Sequence, residues 1–390
     1  MTIEAPPSLR SLFLLDPDIV FLNHGSFGAC PRPVFEAYQR WQLALERRPI
    51  EFLGRRMHAL MAGARSQLAA YLGCAADEVV FFPNPTTAFN MVARSLRLQA
   101  GDEVLGTDHE YGAMDRTWRF LARQRGFQYI RRPVPLPVTT PEAFVEHFWA
   151  GVGERTRIIF ISHIASPTAL IFPIQAICRR ARQAGILTII DGAHAPGQIP
   201  LNLTELGADV YTGAAHKWLM APKGSAFLYA RREVQAWLEP LVVSFGWESD
   251  APSGSKLVDY NEFQGTRDMA AFLATPAAIR FQAEHDWDHV RRECHQLLRE
   301  ARLRINKLTG LESICPDSPE WYAQLATVRL PLADTSRPAL QALHARLYAE
   351  YHIEVPVHTW NNQPMLRISV QGYNSQADID ALVRALERLL

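Results

Sequence analysis

Residues 186–197 read ILTIIDGAHAPG, a short apolar run that ends in an aspartate. The run shows no alternation of polar and apolar residues, which is typical of a strand that is buried on both faces. In open parallel sheets, ligands bind where strands end and helices begin. Asp191, the first residue after ILTII, is therefore either a ligand-binding acid or an ordinary cap or turn residue, and the run alone leaves both interpretations open.

Similar apolar runs recur along the first 230 residues and are separated by helical patterns such as TAFNMVARSLRL at 87–98 and PIQAICRRARQAG at 173–185. The predicted strands are residues 78–82, 102–107, 157–164, 186–191, 208–213 and 225–230. Strands that alternate with helices predict an α/β fold with a mostly parallel sheet.

After about residue 256 the pattern changes to long amphipathic helices, short strands and a closing helix. This pattern predicts a smaller α+β C-terminal domain. We predict a large α/β domain at residues 17–255 and a small domain at 256–390, with residues 1–16 packed against the small one.

Composition excludes several classes of protein. The 390 residues carry 40 Lys and Arg against 40 Asp and Glu, with no long run of one sign, which argues against a nucleic-acid or membrane-surface partner. The five cysteines lie far apart, so neither a disulfide framework nor a metal site is indicated. No basic leader precedes an apolar segment, and nowhere do 18 apolar residues run together. We therefore expect a cytoplasmic protein.

Lysine is scarce, because the chain has only Lys217, Lys223, Lys256 and Lys307. Lys217 follows the predicted strand at 208–213 and lies 26 residues after Asp191, one crossover further along the sheet. A lysine that is desolvated in a cleft loses proton affinity and becomes a nucleophilic amine. The simpler alternative is a surface lysine after a turn.

Thr86 and Thr87 open a predicted helix directly after a strand and the tripeptide PNP. A helix N-terminus of this kind binds phosphate, although an N-cap is the commoner explanation of one such signal. A phosphate site, a strand-end acid and a secluded lysine, taken together, match the needs of pyridoxal phosphate. The lysine holds the aldehyde, the helix holds the phosphate, and the acid keeps the pyridine nitrogen protonated.

DGAHAPG at 191–197 and YTGAAHKW at 211–218 resemble the signatures of class V aminotransferase-fold enzymes. Further motifs occur in the order expected for the family, and their sequences are most similar to those of its isopenicillin N epimerase-like branch. They are LNHGSFGACP, NPTTAFN, DHEYGAMD, ISHIASPTALIFPI, FQGTRDMAAFLATPAAIRF and LRISVQGYN. The resemblance implies the type I fold of pyridoxal-phosphate enzymes and that cofactor.

The resemblance also implies roles for individual residues around the cofactor. Lys217 would be the Schiff-base lysine and Asp191 the partner of the ring nitrogen. The remaining residues would stack on the ring (Tyr111), approach its hydroxyl (His194), hold the phosphate (Thr86, the Thr87 backbone and His216) or reach the phosphate of a neighbouring subunit (Thr266). The last role implies a homodimer with a shared site.

Arg367 would bind the α-carboxylate of an amino-acid substrate, because a guanidinium fork matches a carboxylate with two parallel hydrogen bonds. Asn23 and His24 would line the substrate side of the site, although Gly25 and Gly28 make a simple turn an alternative for that stretch.

Three features depart from the wider family. Ala214 stands where many relatives have a phosphate-binding serine, so Thr212 or backbone N–H groups must replace it. Ser166 and Pro167 occupy a stretch where many desulfurases have an asparagine. No cysteine lies between Cys315 and Arg367, which disfavours the persulfide chemistry of a cysteine desulfurase.

The sequence thus predicts an enzyme that acts at the α-carbon of an amino acid, with Lys217 as the base that removes the α-proton. An epimerase-like reaction is ranked first, and a β-lyase (C–S lyase) or an aminotransferase is the alternative. A reading from another class is a non-catalytic module that binds phosphate or a nucleotide, but the expected G-x-G-x-x-G loop is absent at PNPTTA.

Overall fold

A computed structural model describes residues 9–390 of the chain. The strands are β1 Val20–Phe21, β2 Val79–Phe82, β3 Glu103–Thr107, β4 Gln128–Arg132, β5 Thr156–Ser162, β6 Leu187–Asp191, β7 Val210–Ala214, β8 Ala226–Ala230, β9 Leu325–Arg329, β10 Ile353–Glu354, β11 Val357–Trp360 and β12 Gln363–Ser369.

The helices fill most of the remaining chain. They are α1 His24–Phe27, α2 Arg32–Arg47, α3 Pro49–Glu51, α4 Met57–Leu72, α5 Pro85–Ser95, α6 Gly112–Arg125, α7 Pro141–Trp149, α8 Ile174–Gln183, α9 Leu203–Leu206, α10 Lys256–Glu262, α11 Ala270–Leu273, α12 Thr275–Glu284, α13 Trp287–Thr309, α14 Arg337–Tyr351 and α15 Gln376–Leu389. Two 3-10 helices, Leu9–Leu12 and Arg232–Trp237, and one π-helical turn, Phe52–Arg56, complete them.

A seven-stranded sheet in the order β2-β8-β7-β6-β5-β3-β4 forms the centre of the fold. Neighbours from β7 through β6, β5 and β3 to β4 are parallel, while β8 runs antiparallel to both β7 and β2. The prediction of an α/β fold with a mostly parallel sheet is confirmed. All six predicted strands are present, and β4 at the sheet edge was missed.

Apolar side chains cover both faces of this sheet. On one face, α5 and α6 pack Phe89 and Trp118 against Phe160 of β5, with the rings of Phe89 and Phe160 4.9 Å apart. On the other face, Ile190 of β6 joins a larger apolar cluster that also includes Ile177 of α8. A sheet that is covered on both faces binds ligands only at its edges or strand ends.

The chain after residue 256 forms an antiparallel sheet in the order β11-β12-β9, which packs with α13, α14 and α15. The predicted long amphipathic helices include α12 and α13, which are separated at Asp286. Asp286 has φ 42° and caps α13 by accepting a bond from the His289 N–H. The strand β1 is parallel to β10 of this part, and the Leu9 N–H donates to the Gly372 carbonyl at 3.2 Å; residues 1–8 of the predicted segment 1–16 lie outside the described residues.

Between residues 9 and 390 no helix is both long and apolar enough to cross a membrane.

Candidate active site

A pocket lies at the carboxyl ends of the central strands and has about 610 Å³ of empty space, counting its open mouth. Its lining combines strand ends, the start of α5 and the N-terminal stretch. Several predicted residues contribute to it: Thr86, Tyr111, Asp191, His194, His216 and Lys217. Asp191 and Lys217 therefore lie in the same pocket at the carboxyl ends of neighbouring central strands, as their spacing in the sequence predicts.

Asp191 is the last residue of β6 and is almost completely buried. Its carboxylate accepts a hydrogen bond of 3.0 Å from the Ala193 N–H. Burial raises the pKa of Asp191, and this backbone bond and the nearby Lys217 oppose the rise. A buried acid held at the end of a strand is stabilised by any positive group that enters the pocket.

Lys217 follows the end of β7 by three residues and is only partly exposed. Burial and the positive charge of Arg367 lower its pKa to about 8, while Asp191 raises it. At neutral pH this amine is still mostly protonated, but the unprotonated form, which attacks carbonyl groups, is far more populated than in an ordinary lysine. Lys223, on the same connection, donates instead to the Gly28 carbonyl at 2.9 Å.

The N-terminal stretch packs directly on the backbone that carries Lys217. A Cβ added to Gly28, whose φ is +71°, would lie only 2.0 Å from the His216 carbonyl oxygen. His24 lies 3.0 Å from the Lys217 carbonyl oxygen through Nε2 and 3.0 Å from the Tyr373 hydroxyl through Nδ1. Because a carbonyl only accepts, Nε2 carries the proton of His24. This stretch thus fixes the position of the Lys217 backbone.

His194 lies between Lys217 and Trp218. Its Nε2 is 3.1 Å from the Lys217 Nζ, and its Nδ1 is 3.3 Å from the indole Nε1 of Trp218. Burial, reinforced by the positive charge of Lys217, lowers the pKa of His194 well below its usual value. The ring is therefore neutral near pH 7.

The opposite end of the pocket is formed by the first turn of α5. Thr86 lines the pocket, and its N–H, in the first turn, has no acceptor within the helix. Both the N–H and the hydroxyl of Thr87 donate to the Asn84 side chain, at 2.8 and 3.0 Å. The predicted Thr87 N–H is therefore occupied by the helix cap, and Thr86 is the threonine of this turn that lines the pocket.

His216 also lines this pocket, and its Nδ1 lies 3.0 Å from the Ser225 carbonyl. Burial lowers its pKa to about 4. Ala214 is fully buried, and Thr212 pairs in register with Asp191 and has a buried hydroxyl without a hydrogen-bond partner. Thr212, one of the expected substitutes for the missing serine, thus lies beside Asp191 but is not among the residues that line the pocket.

Arg367 lies on β12 and lines a more open cavity, which shares Tyr111 and Ser166 with the pocket. Its guanidinium donates to the Ser166 carbonyl at 2.7 Å and to the Ser26 hydroxyl at 3.0 Å. Burial lowers its pKa to about 10, so it remains charged at neutral pH. Its Nε is buried without a partner. A fixed cation with an unused donor is suited to bind a carboxylate.

Besides Thr87 and Arg367, three predicted site residues do not line the pocket. Asn23 donates to Glu354 and accepts from Ser26, and His24 lies behind Lys217. Ser26 and Phe27, from the same stretch, line the pocket in their place. Thr266 is exposed and is not part of the pocket in a single chain.

Ser26, Trp218 and the pair Glu110–Ser162 lie at the site without having been predicted. Glu110 accepts bonds from the Ser162 N–H and hydroxyl at 2.9 and 2.7 Å, and burial raises its pKa to about 7. Tyr111, the neighbour of Glu110, was predicted as a site residue. Ser162 could also have been predicted, because it is the last residue of β5 and the ends of the parallel strands lie at the pocket.

Comparison with known proteins agrees with this geometry. The family model of Aminotransferase class-V matches residues 28–382. The chain is 37% identical to an isopenicillin N epimerase of Amycolatopsis lactamdurans, with all of both chains covered. It is 28% identical to a probable chloroplastic L-cysteine desulfhydrase of Arabidopsis thaliana, over 96% of this chain and 84% of that one.

Among solved structures, the fold matches the cysteine desulfurase CsdA of Escherichia coli with a TM-score of 0.79 and 23% identity, over 97% of each chain. That likeness supports the type I fold. The family match, which spans most of the chain, together with the full-length relative, identifies this protein as a member of the class V aminotransferase family of pyridoxal-phosphate enzymes.

Proposed function

We propose that this enzyme epimerises an amino-acid substrate at its α-carbon, in the manner of the isopenicillin N epimerase that it resembles over its full length. The observation that carries the proposal is the convergence of Lys217 and Asp191 in one pocket, with Arg367 in the adjoining cavity. These groups can remove the proton from a carbon that carries both an amine and a carboxylate, and inversion then requires a second acid that returns a proton to the opposite face.

The pocket fits pyridoxal phosphate on structural grounds. The buried Asp191 has a raised pKa and no cation bonded to it, which favours a protonated ring nitrogen as its partner. The first-turn N–H of Thr86, which has no acceptor within the helix, supplies a further donor at the pocket. We propose that Thr86 and His216 hold the phosphate and that Tyr111 covers the ring. Because Nδ1 of His216 donates to the Ser225 carbonyl, His216 donates to the phosphate only when the bound anion favours its doubly protonated form.

When bound, the cofactor supplies an electron sink that acidifies the α-hydrogen of the substrate. The protein then has to position the substrate and move the proton. We propose that Arg367 binds the α-carboxylate and that the neutral amine of Lys217 takes the α-proton at Nζ. Asp191 would stabilise the positive charge of the protonated ring nitrogen. His194 contacts the Lys217 Nζ and orients it.

A β-lyase is the second candidate, because a probable L-cysteine desulfhydrase is also a relative over most of the chain. It needs the same base and differs in losing a group from the β-carbon. Cysteine desulfurase chemistry is less well supported, since none of the pocket-lining residues within 9–390 is a cysteine and Cys315 is buried elsewhere. Because the chain belongs to an enzyme family, the alternative of a non-catalytic module that binds phosphate or a nucleotide is not supported.

The reaction type is tested by incubating the purified enzyme with L- and D-amino acids in deuterated water. Epimerisation gives inversion and solvent-derived α-deuterium, and no pyruvate or 2-oxo acid is released. Release of pyruvate with ammonia identifies a lyase, and formation of a 2-oxo acid only when an amino acceptor is added identifies an aminotransferase.

We also propose a homodimer, in which Thr266 reaches the partner's phosphate site. An exposed apolar segment supports it, because Phe245 is 86% and Val243 68% exposed, and the Phe245 ring lies 6.2 Å from the ring of Phe263. A monomer rarely leaves such a segment in water. Sedimentation at micromolar concentration tests this proposal, and a monomer that remains fully active contradicts it.

A further inference from the structure

Trp218 is completely buried next to the cofactor-binding lysine. Its indole Nε1–H points at Nδ1 of His194, 3.3 Å away. An indole N–H is a donor and never an acceptor. This contact therefore requires a lone pair on Nδ1 of His194.

A lone pair on Nδ1 determines where His194 carries its proton. In a neutral imidazole one nitrogen is protonated and the other is not, so the proton lies on Nε2. The groups that act on this ring are the positive charge of Lys217 and Arg367 and the nearby His24 and His216, and none of them favours a protonated His194. The Nε2–H then faces the Lys217 Nζ at 3.1 Å.

An N–H directed at a lysine bonds to a neutral amine and not to an ammonium, which has donors only. The Nε2–H form of His194 therefore has no lone pair facing Lys217 that could accept a hydrogen bond from the ammonium form. Two charged groups also act on Lys217: Asp191 favours its ammonium, and Arg367 opposes it. The His194 contact adds to the effect of Arg367.

We propose that Trp218 is a positioning residue, which sets the tautomer of His194 and so holds Lys217 as the free amine that binds the cofactor. The inference rests on the proposed role of Lys217, and it assigns Trp218 a function beyond packing. A tryptophan that only filled space could be replaced by phenylalanine, because the ring contact with His24, at 4.9 Å, is aromatic and does not use the indole N–H.

The tautomer can be read in the cofactor-free wild-type enzyme. With 15N-labelled histidine, the two- and three-bond proton–nitrogen correlations of a ring distinguish Nε2–H, Nδ1–H and doubly protonated forms. We expect His194, assigned by the loss of its signals in His194→Gln, to be the Nε2–H tautomer at pH 7. An Nδ1–H or doubly protonated ring would overturn the proposal.

The effect on Lys217 is measured with Trp218→Phe and a matched control, Trp287→Phe, which removes another buried indole N–H, one that donates to the Gly197 carbonyl at 3.1 Å. An amine-reactive reagent and peptide mass spectrometry give the labelling rate of each of the four lysines against pH. Without the indole N–H, the Nδ1–H tautomer becomes available and Nε2 can accept from the ammonium.

In Trp218→Phe we expect the pH midpoint of Lys217 labelling to rise by about one to two units, the range set by a hydrogen bond to a charged group. The midpoint should stay unchanged in Trp287→Phe. A Trp218→Phe variant that keeps both the tautomer and the midpoint of the wild type contradicts the proposal, and if it does not fold, the wild-type spectrum decides. Reduction with borohydride that marks a lysine other than Lys217 refutes the proposed function separately, because the tautomer is read without the cofactor.

Discussion

The two sides of the site are built in different ways. The sheet wall, formed by Asp191, His194 and Lys217, comes from 27 consecutive residues that run from the last residue of β6 to just beyond the neighbouring strand β7. The arginine wall, formed by Ser26, Ser166 and Arg367, joins segments that lie 201 and 341 residues from the arginine. Strand order places the first wall, whereas the packing of the C-terminal sheet against the rest of the chain places the second. The sheet wall is therefore expected to control the chemical step and the arginine wall substrate binding.

The largest expected effect is that of Lys217→Ala. Removing a covalently acting residue costs on the order of 10⁵- to 10⁶-fold in turnover, because no other amine lines this wall. Borohydride reduction of the wild type followed by peptide mapping should mark Lys217. Lys223→Ala is the matched control on the same connection and should retain the label at Lys217. A label on Lys223 would assign the cofactor to the other lysine.

Asp191→Ala should be the next most damaging change. The variant loses the counter-charge for a protonated ring nitrogen, so we expect turnover to fall by roughly 10²- to 10⁴-fold, the range of one positioned ionisable group. Lys217 remains, and some cofactor should stay bound by absorbance. Near-normal turnover would show that another group protonates the ring and that the sheet wall is not the functional unit.

The sequence predicted most of the central sheet, because buried strands with no polar face are recognisable one by one. It missed β4, in which QYIRR is partly exposed at the sheet edge and carries two arginines. It predicted long amphipathic helices after about residue 256 but not the point where α12 ends and α13 begins, since that break depends on a left-handed Asp286 that no periodicity reveals. Interior strands are thus more predictable than edges and breaks.

The residues of the site divide in the same way into those that were predictable from the sequence and those that were not. Asp191 and Lys217 were identified by their place after strands, and the structure brings both to the pocket. In LNHGSFG the motif pointed to Asn23 and His24, but Ser26 is the residue that contacts Arg367. The sequence gives no distance between that stretch and β12, so which of its side chains faces the arginine is decided by tertiary packing.

Arg367→Lys tests the arginine wall itself. Lysine keeps the charge but loses the paired geometry, and a charge-assisted hydrogen bond is worth roughly 1.5 to 3 kcal/mol, so KM should rise about ten- to a hundredfold. The absorbance of the bound cofactor should not change. Arg329→Lys, on the neighbouring strand β9, is the matched control. Amines without a carboxylate should react equally poorly with wild type and variant, and loss of cofactor from Arg367→Lys would contradict the division into two walls.

Ser26→Ala should have the smallest effect of the four. The Ser26 hydroxyl accepts from Arg367 at 3.0 Å and donates to the Asn23 side chain at 2.5 Å. Its removal leaves the guanidinium held by the Ser166 carbonyl, so only one neutral partner is lost. A net hydrogen bond of about 0.5 to 1.5 kcal/mol corresponds to a rise in KM of roughly two- to tenfold, while kcat stays the same because the sheet wall is intact.

Ser26→Thr, which retains the hydroxyl, is the control for this variant and should bind substrate as the wild type does. Asn23→Ala extends the test, since Asn23 contacts the arginine wall only through Ser26 and should raise KM by no more than Ser26→Ala. If Asn23→Ala is the more damaging of the two, then Asn23 contacts the substrate directly, as the resemblance implies, and the N-terminal stretch turns toward the pocket when substrate binds.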